Sequence, residues 1–525
     1  MKQTSKILFT LLIGAFGFLS CDQLLTVDSE RNITVDQNTL DNPNDTVYSM
    51  MGILNKVRKL GDRCVVLGEL RGDLMDVTAN SDLELQAISN FTADSTNSWL
   101  DVKDYYAVIN NCNYFINNAD TSIRLSGVKV MMPEFAQVKT IRAWTYLQLA
   151  TTFGKAAYMT KPIVTLEDAF ANYPMLGLDV LIDTLIEDLL PYKNVDLPQY
   201  ISVGNFSANY LFLPTKFVLG DLYLWKNDYM NAATMYHELM FDRSLTVSKN
   251  YKSSWNDAFT TATRNWNNLF SNYTGEVITM FPFDKSTGTC KAYTLTQVSY
   301  ELAPSNNCME LFAGQKYYQE LTGGSTMGDL RGENASYANS TTVKGATAEA
   351  RMPVISKYAY NQGFSIYPFR TSTLYLRYAE AVAQLGKFNM ALAVMNNGLS
   401  TTTSAAWQSA PLQTWYNFTD SRFDANMGTR QHGLGTSGSN LLAFPTTATN
   451  HSDSLTFVED CLRDELALET AFEGNRFTDL MRMARHRSRY ELLAEAVALK
   501  HPTAYEYYKL LLMNPDHWYL PYPGK

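Results

Sequence analysis

The stretch from Leu462 to Arg482 constrains this chain more than any other. Up to Phe472, the residues Leu462, Leu466, Leu468, Glu469 and Phe472 recur at spacings near three and four, which predicts a helix with a mostly apolar stripe. Gly474 then permits a turn that other residues resist. Arg476 and Asp479 stand three apart, close enough to pair if the chain re-enters a helix. Charges set into an apolar helix need buried partners, because an unpaired ion loses its hydration with nothing in return. The stretch is therefore expected to hold the fold through an internal charge network, with no part in catalysis or ligand contact.

Helical periodicity recurs over residues 45–61, 103–119, 134–153 and 177–190, with Gly154 capping the third and Pro191 ending the fourth. Two further segments resemble tetratricopeptide repeats, helix pairs in which small residues let the helices approach. In the first, Leu219-Gly220-x-x-Tyr223 is followed by Ala232, twelve beyond Gly220, and by Tyr236, while Lys216 replaces the usual Trp. In the second, Ala379 and Ala391 repeat the spacing around a Leu385-Gly386-Lys387-Phe388 turn. Such pairs cannot bury their faces alone, so further units are implied, and helices 103–119 and 134–153 are the candidates. Residues 244–365 read differently, rich in Gly, Ser, Asn and Tyr, with a strand-like Glu276–Phe281 that Pro282 is expected to break. The expected fold is mainly α, a tetratricopeptide-like helical repeat scaffold with an irregular loop-rich subdomain carrying short strands. The scaffold is placed at about 46–243, 366–400 and 455–525, the subdomain at 244–365 and a loop insertion at 401–454.

At the N-terminus Lys2 and Lys6 precede an apolar run, Ile7 to Leu19, too short to span a bilayer but suited to a signal sequence. It ends at Ser20-Cys21, a loose lipobox that makes Cys21 the expected lipidation site, with residues 1–20 a leader and 21–45 a tether. Six cysteines in 525 residues, with no CxxC, give neither a zinc ribbon nor a disulfide framework; if Cys21 is acylated, an odd number remains and at least one thiol is free. A net charge of −9 argues against a nucleic-acid partner.

The pattern at Glu465, Glu469, Phe472, Glu473, Gly474, Arg476, Asp479, Leu480 and Arg482 resembles the C-terminal signature of the SusD/RagB family, departing at Leu466 and Thr470. Arg142–Leu147 through Phe153-Gly154 to Lys161-Pro162-Ile163, and the closing Trp518-Tyr519-Leu520-Pro521-Tyr522-Pro523, are similar to further family phrases. The resemblance implies a surface lipoprotein of Bacteroidetes, anchored at the outer membrane. Such a protein binds oligosaccharides without catalysis or cofactor and delivers them to a partner TonB-dependent (SusC-like) transporter. Peptide capture by the same architecture, or a protein-binding repeat adaptor of the envelope, are the alternatives.

Catalytic signatures are few. His237-Glu238 lacks the second His of a zinc helix, and Gly433–Gly438 fits GxGxxG by letters but not by context, which reads as a flexible loop. No metal site is expected. Glycan binding needs an aromatic ring to cover sugar C–H faces and polar groups to bond hydroxyls. Trp99, with Asn97 beside it at a loop–helix junction, is the first candidate; the resemblance places a binding Trp near this point. Tyr293 and Tyr300, followed by Asn306 and Asn307, and Trp266 between Asn265 and Asn267, complete the expected set.

Overall fold

The computed structural model describes residue 40 and residues 43–202, 206–270, 275–283, 290–319, 322–340, 352–357, 364–404, 414–435 and 440–523. Cys21 and the leader lie outside the described residues. Helix α1 (Pro43–Leu70) is followed by α2 (Leu83–Ser89), α3 (Lys103–Asn118), α4 (Met132–Phe153) and α5 (Leu178–Leu189). The scaffold continues with α6 (Thr215–Trp225) and α7 (Tyr229–Asp242), then, after the intervening α8 (Asn306–Ala313) of the irregular segment, with α9 (Thr371–Gln384) and α10 (Phe388–Asn396). Helices α11 (His451–Thr470), α12 (Arg476–His486), α13 (Glu491–Leu499) and α14 (Tyr505–Leu512) complete it. Sequential helices pack as antiparallel neighbours: α3 on α4, α6 on α7, α9 on α10, α13 on α14. The fold is mainly helical and tetratricopeptide-like, as expected.

The small-residue spacing has its physical counterpart. A Cβ on Gly220 would come within 2.4–2.8 Å of three ring atoms of Tyr236, so only glycine lets α7 lie this close to α6. The Tyr236 hydroxyl then donates to Asp221 at 2.7 Å. Ala379 and Ala391 are fully buried between α9 and α10, and Gly386 takes a left-handed φ of 74° in their turn. Gly154, at φ 75°, caps α4 as expected, and the ring of Tyr519 from the C-terminal tail rests against it. That tail is packed on the body: Arg71 donates to the Trp518 carbonyl at 2.9 Å and the Trp518 indole N–H to Leu512 at 2.7 Å.

Three local expectations are corrected. The helix read over 45–61 runs on to Leu70, because Gly61 fits beneath Ile366 and Phe281 and does not end the helix. Pro282 does not break its strand. Strand β1 (Val277–Phe283) pairs antiparallel with Phe364–Arg370 as a two-stranded sheet, where a proline lacking its N–H can sit at the outer edge. Of the Gly433–Gly438 loop, Gly433 and Gly435 are packed, since both are buried and a Cβ would collide with Asp329 at the first and with the Tyr318 carbonyl at the second, while residues 436–438 lie outside the described residues.

The charges of α11 are buried and paired, as the stripe required. Glu465 and Glu469 receive Arg331 at 2.8 and 2.9 Å, and Glu473 receives Arg370 at 2.7 Å and Lys357 at 2.6 Å. His432 stands between Glu469 and Glu276, 3.1 Å from each, with one carboxylate at each ring nitrogen. Two acceptors demand two protons, so the ring is an imidazolium. Burial alone would lower its pKa, but the two carboxylates outweigh burial and hold it at about 9. Glu276, His432 and Glu469 lie close enough together to ligate a metal ion. With His432 protonated, and Arg331 and Arg370 on the same carboxylates, the donor set is that of an ion-pair network.

Arg476 and Asp479 do not pair with each other. Arg476 reaches Asp73 after the end of α1, at 2.5 and 2.9 Å, and Asp479 takes Arg482 at 2.7 Å. The turn between α11 and α12 is clamped by Glu69, whose carboxylate accepts the backbone N–H groups of Phe472, Gly474 and Asn475 at 3.1, 2.7 and 3.1 Å. Gly474 has φ 92° and approaches the backbone of α1 too closely for a side chain.

Candidate ligand-binding groove

A groove of about 580 Å³ opens where the helical scaffold meets the irregular segment. Its floor is α1, which contributes Arg58, Lys59, Asp62 and Arg63. One wall is the segment from α2 to the start of α3, with Glu84, Ser98, Trp99 and Asp104. The other is a helical turn at 291–298, with Lys291, Thr294 and Leu295, closed by Phe283 of β1 and by Glu301. The volume falls within the range of small-ligand sites.

Local hydrogen bonds fix the Trp99 wall. Asn97 accepts the Trp99 N–H at 3.0 Å and donates to the Glu84 carbonyl at 2.9 Å, capping a 3-10 turn over Ser98–Leu100. Glu84 accepts the Ser98 N–H at 3.0 Å and also its hydroxyl. Arg63 donates to the Trp99 carbonyl at 3.3 Å and to Asp104 at 2.6 Å. Leu100 is buried beneath, while Trp99 is half-buried with its ring on the groove. The Lys291 ammonium lies 5.6 Å from the centre of that ring.

The opposite wall is seated by Asp62, which accepts the Ala292 N–H and the Cys290 thiol, each at 2.9 Å. Burial and the Asp62 charge push the Cys290 pKa far up, so it stays a thiol donor. Arg58 stacks over Phe283 at 5.3 Å and donates to the Pro282 carbonyl at 3.3 Å.

The structure thus brings two of the four expected segments to one groove, though not every expected side chain in them lines it. Trp99 does. Asn97 is 7% exposed with both ends of its amide engaged, so it positions Trp99 and does not face the groove. Tyr293 and Tyr300 adjoin lining residues and pack elsewhere. Tyr293 lies against the core, and Tyr300, at φ 53°, gives its carbonyl to Thr78. Asn307 donates to Asp73 at 3.2 Å, and Asn306 is exposed at the start of α8, away from the lining. Trp266 is corrected outright. It is fully buried against the charge network, with Lys357 5.1 Å and Arg370 5.3 Å from its ring and His432 at 4.9 Å, so neither ring face can meet a ligand.

Residues the sequence reading missed are Arg58, Lys59, Lys291, Phe283 and Glu301. Positions 58, 59, 62 and 63 fall on one helical face, a signal available from the spacing. The other cavities fit a sugar less well. One, of about 50 Å³, is a polar pocket at Arg377 and Asn475 with room for a few waters. A polar groove of about 570 Å³ beside Lys193 and Arg243 has no aromatic lining. A notch of about 430 Å³ under Phe444 has Asn389 and Asn397 at its rim.

The sequence model of the SusD family (SusD_RagB) matches residues 223–525, more than half of the chain, and the chain belongs to that family. Its fold is similar to a SusD superfamily protein from Bacteroides vulgatus, with a TM-score of 0.64 at 15% identity over 93% of this chain and 96% of that one. A SusD superfamily protein from Bacteroides thetaiotaomicron gives a TM-score of 0.60 at 18% identity, again over 93% and 96%. A laminarin binding SusD-like protein gives 0.55 at 18% identity, over 92% of this chain and 96% of its own. At such identities the likeness shows the fold alone. No curated protein matches significantly. Among the described residues no helix is long and apolar enough to cross a membrane.

Proposed function

We propose that this chain captures an oligosaccharide in the groove at Trp99 and hands it on chemically unchanged. The observation that carries this reading is the indole of Trp99 at the rim of a cleft of sugar-binding size, on a backbone fixed by Asn97 and Arg63. A preset aromatic platform costs little ordering on binding and covers a pyranose face. Membership of the SusD family supports it, as do fold neighbours described as laminarin binding and SusD-like carbohydrate binding. On this reading the protein is not an enzyme. The Glu84 and Asp104 carboxylates in the groove hold Ser98 and Arg63, which suits a wall better than an acid–base pair.

The same reading has residues 1–20 removed, Cys21 acylated and residues 21–45 tethering the body (46–525) to the outer membrane, facing outward. The helical scaffold then presents the 244–365 subdomain to solvent, and the ligand passes to a TonB-dependent transporter. The test is isothermal titration of the purified protein against oligosaccharides and mixed peptides, with chromatography for cleavage products. Binding of a glycan without products supports capture. Products would overturn the non-catalytic assignment, and peptide-only binding would move the ligand class.

A further inference from the structure

We infer that the notch under Phe444 is a second binding site, for an uncharged oligosaccharide, separate from the groove at Trp99. For its ligand class the inference rests on the protein being a glycan binder; it does not rest on the residues of the groove. The notch, of about 430 Å³, is formed by one face of α10 together with the 442–444 segment of the 401–454 insertion. Asn389, Leu392, Ala393, Asn396 and Asn397 recur at the three- and four-residue spacing of a single helical face. That face is apolar in its middle, where Leu392 and Ala393 are buried, and carries carboxamides at its ends. Asn389 and Asn397 stand about 12 Å apart along the helix axis, a span that suits a disaccharide.

No residue lining the notch is ionisable. A charged ligand would find no counter-ion there and would give up hydration without return, whereas a neutral one pays no such penalty. Asn389 and Asn397 are exposed, and neither carboxamide has a hydrogen-bond partner among the described residues. Each offers an N–H₂ donor and a carbonyl acceptor, which neighbouring sugar hydroxyls match by accepting one bond and donating the other. Asn396 is buried and serves the fold instead. Its amide donates to the Leu442 carbonyl at 3.0 Å and accepts the Leu442 N–H at 2.9 Å. Those two bonds fix the 442–444 segment against α10 and so set Phe444 at the notch.

Phe444 supplies the platform. Its ring packs against Phe388 of α10 at 6.3 Å and Phe457 of α11 at 5.6 Å, yet it remains 36% exposed. An apolar ring held by two neighbours and still open to solvent can cover the C–H face of a pyranose. With one ring and two free amides, the notch holds a chain more loosely than the groove. A second point of attachment slows the escape of a glycan long enough to touch both.

The experiment is isothermal titration of the purified protein with laminarin, xylan and mannan oligosaccharides, and with oligogalacturonate as the charged counterpart, at low and high NaCl. Four proteins are compared: wild type, Asn389→Ala/Asn397→Ala, Phe444→Ala and Trp99→Ala. Wild type is expected to bind a neutral oligosaccharide in two components. The weaker one should persist in Trp99→Ala, stay unchanged as salt rises, and weaken roughly tenfold in Phe444→Ala and in the double Asn variant. Circular dichroism of the double Asn variant should match wild type, since both side chains are exposed and unpartnered, so its loss of binding is not loss of fold. A weaker component that survives either substitution, or that appears only with oligogalacturonate, would overturn the inference. Neutral binding that vanishes entirely in Trp99→Ala would also overturn it, while leaving the groove as the site. Neutral binding lost in the double Asn variant but untouched by Trp99→Ala would support the notch and overturn the groove. No binding of any neutral oligosaccharide would overturn the notch.

Discussion

Glu469→Gln tests the network under α11. Glu469 accepts three charged hydrogen bonds, from Arg331 at 2.9 Å, His432 at 3.1 Å and Arg370 at 3.2 Å. The Arg331 and His432 bonds share one carboxylate oxygen and the Arg370 bond uses the other. A glutamine in its best orientation keeps its oxygen towards Arg331 and His432 and turns its amide N–H₂ on Arg370. One charged bond is then lost, about 2–3 kcal/mol, and two are weakened by loss of the ionic charge. Glu465, Glu473 and Glu276 still serve the three cations, which limits the damage. The sum is about 3–5 kcal/mol, in keeping with the cost of removing one partner from a buried pair. The assay is urea unfolding followed by circular dichroism, comparing midpoints at equal slope. A loss below about 1 kcal/mol would refute the argument that this network holds α11 against β1 and the 429–432 turn.

Stability should also depend on pH with a definite sign. His432, held at about 9 against an ordinary 6.5, contributes stability that is complete below 6.5 and lost as pH rises towards 9. For Glu380, burial alone would raise the pKa, but Arg482 and His486 bring it down to about 2, so its contribution is complete above 4.5 and lost as pH falls towards 2. Burial raises Glu69 to about 7 despite its backbone N–H bonds, so its term is complete below 4.5 and lost as pH rises to 7. The melting temperature is therefore expected to peak between about 4.5 and 6.5; a peak above pH 8 would contradict these assignments. Gly220→Ala should cost about 1–3 kcal/mol by driving Tyr236 from α6, measurable as a lower melting temperature, and no change would mean that the helices are free to part. Trp266→Ala should destabilise by about 3–5 kcal/mol yet leave the affinity of the folded protein for glycan unaltered, as titration well below its melting temperature would show.

Helix pairs were legible in the sequence because their causes are local. The Gly220–Ala232 spacing, the Gly154 cap and the apolar stripe of α11 are each set within about twenty residues. The need for partners at Glu465, Glu469 and Glu473 was equally clear, but their identity was not. Arg331, Lys357, Arg370 and His432 come from distant segments, and nothing in local pattern says which cation returns to which acid. The lining of the candidate groove was half legible for the same reason. Trp99 stood out as an aromatic at a loop–helix junction. Trp266, in similar Asn-flanked company, is core, because burial is decided by what folds over it. Tyr293 and Tyr300 lie in a segment that walls the candidate groove, but it is their neighbours that line it. Arg58, Lys59 and Lys291 come together only because α1 and the 291–298 turn fold face to face, which no local pattern announces.

The most direct measurement is a crystal structure of the protein with the oligosaccharide it binds best. The account predicts a sugar ring lying on the indole of Trp99, between α1 and the 291–298 turn, with its glycosidic bonds intact. A sugar seated elsewhere, such as the Phe444 notch or the Lys193–Arg243 groove, with Trp99 unoccupied, would contradict it.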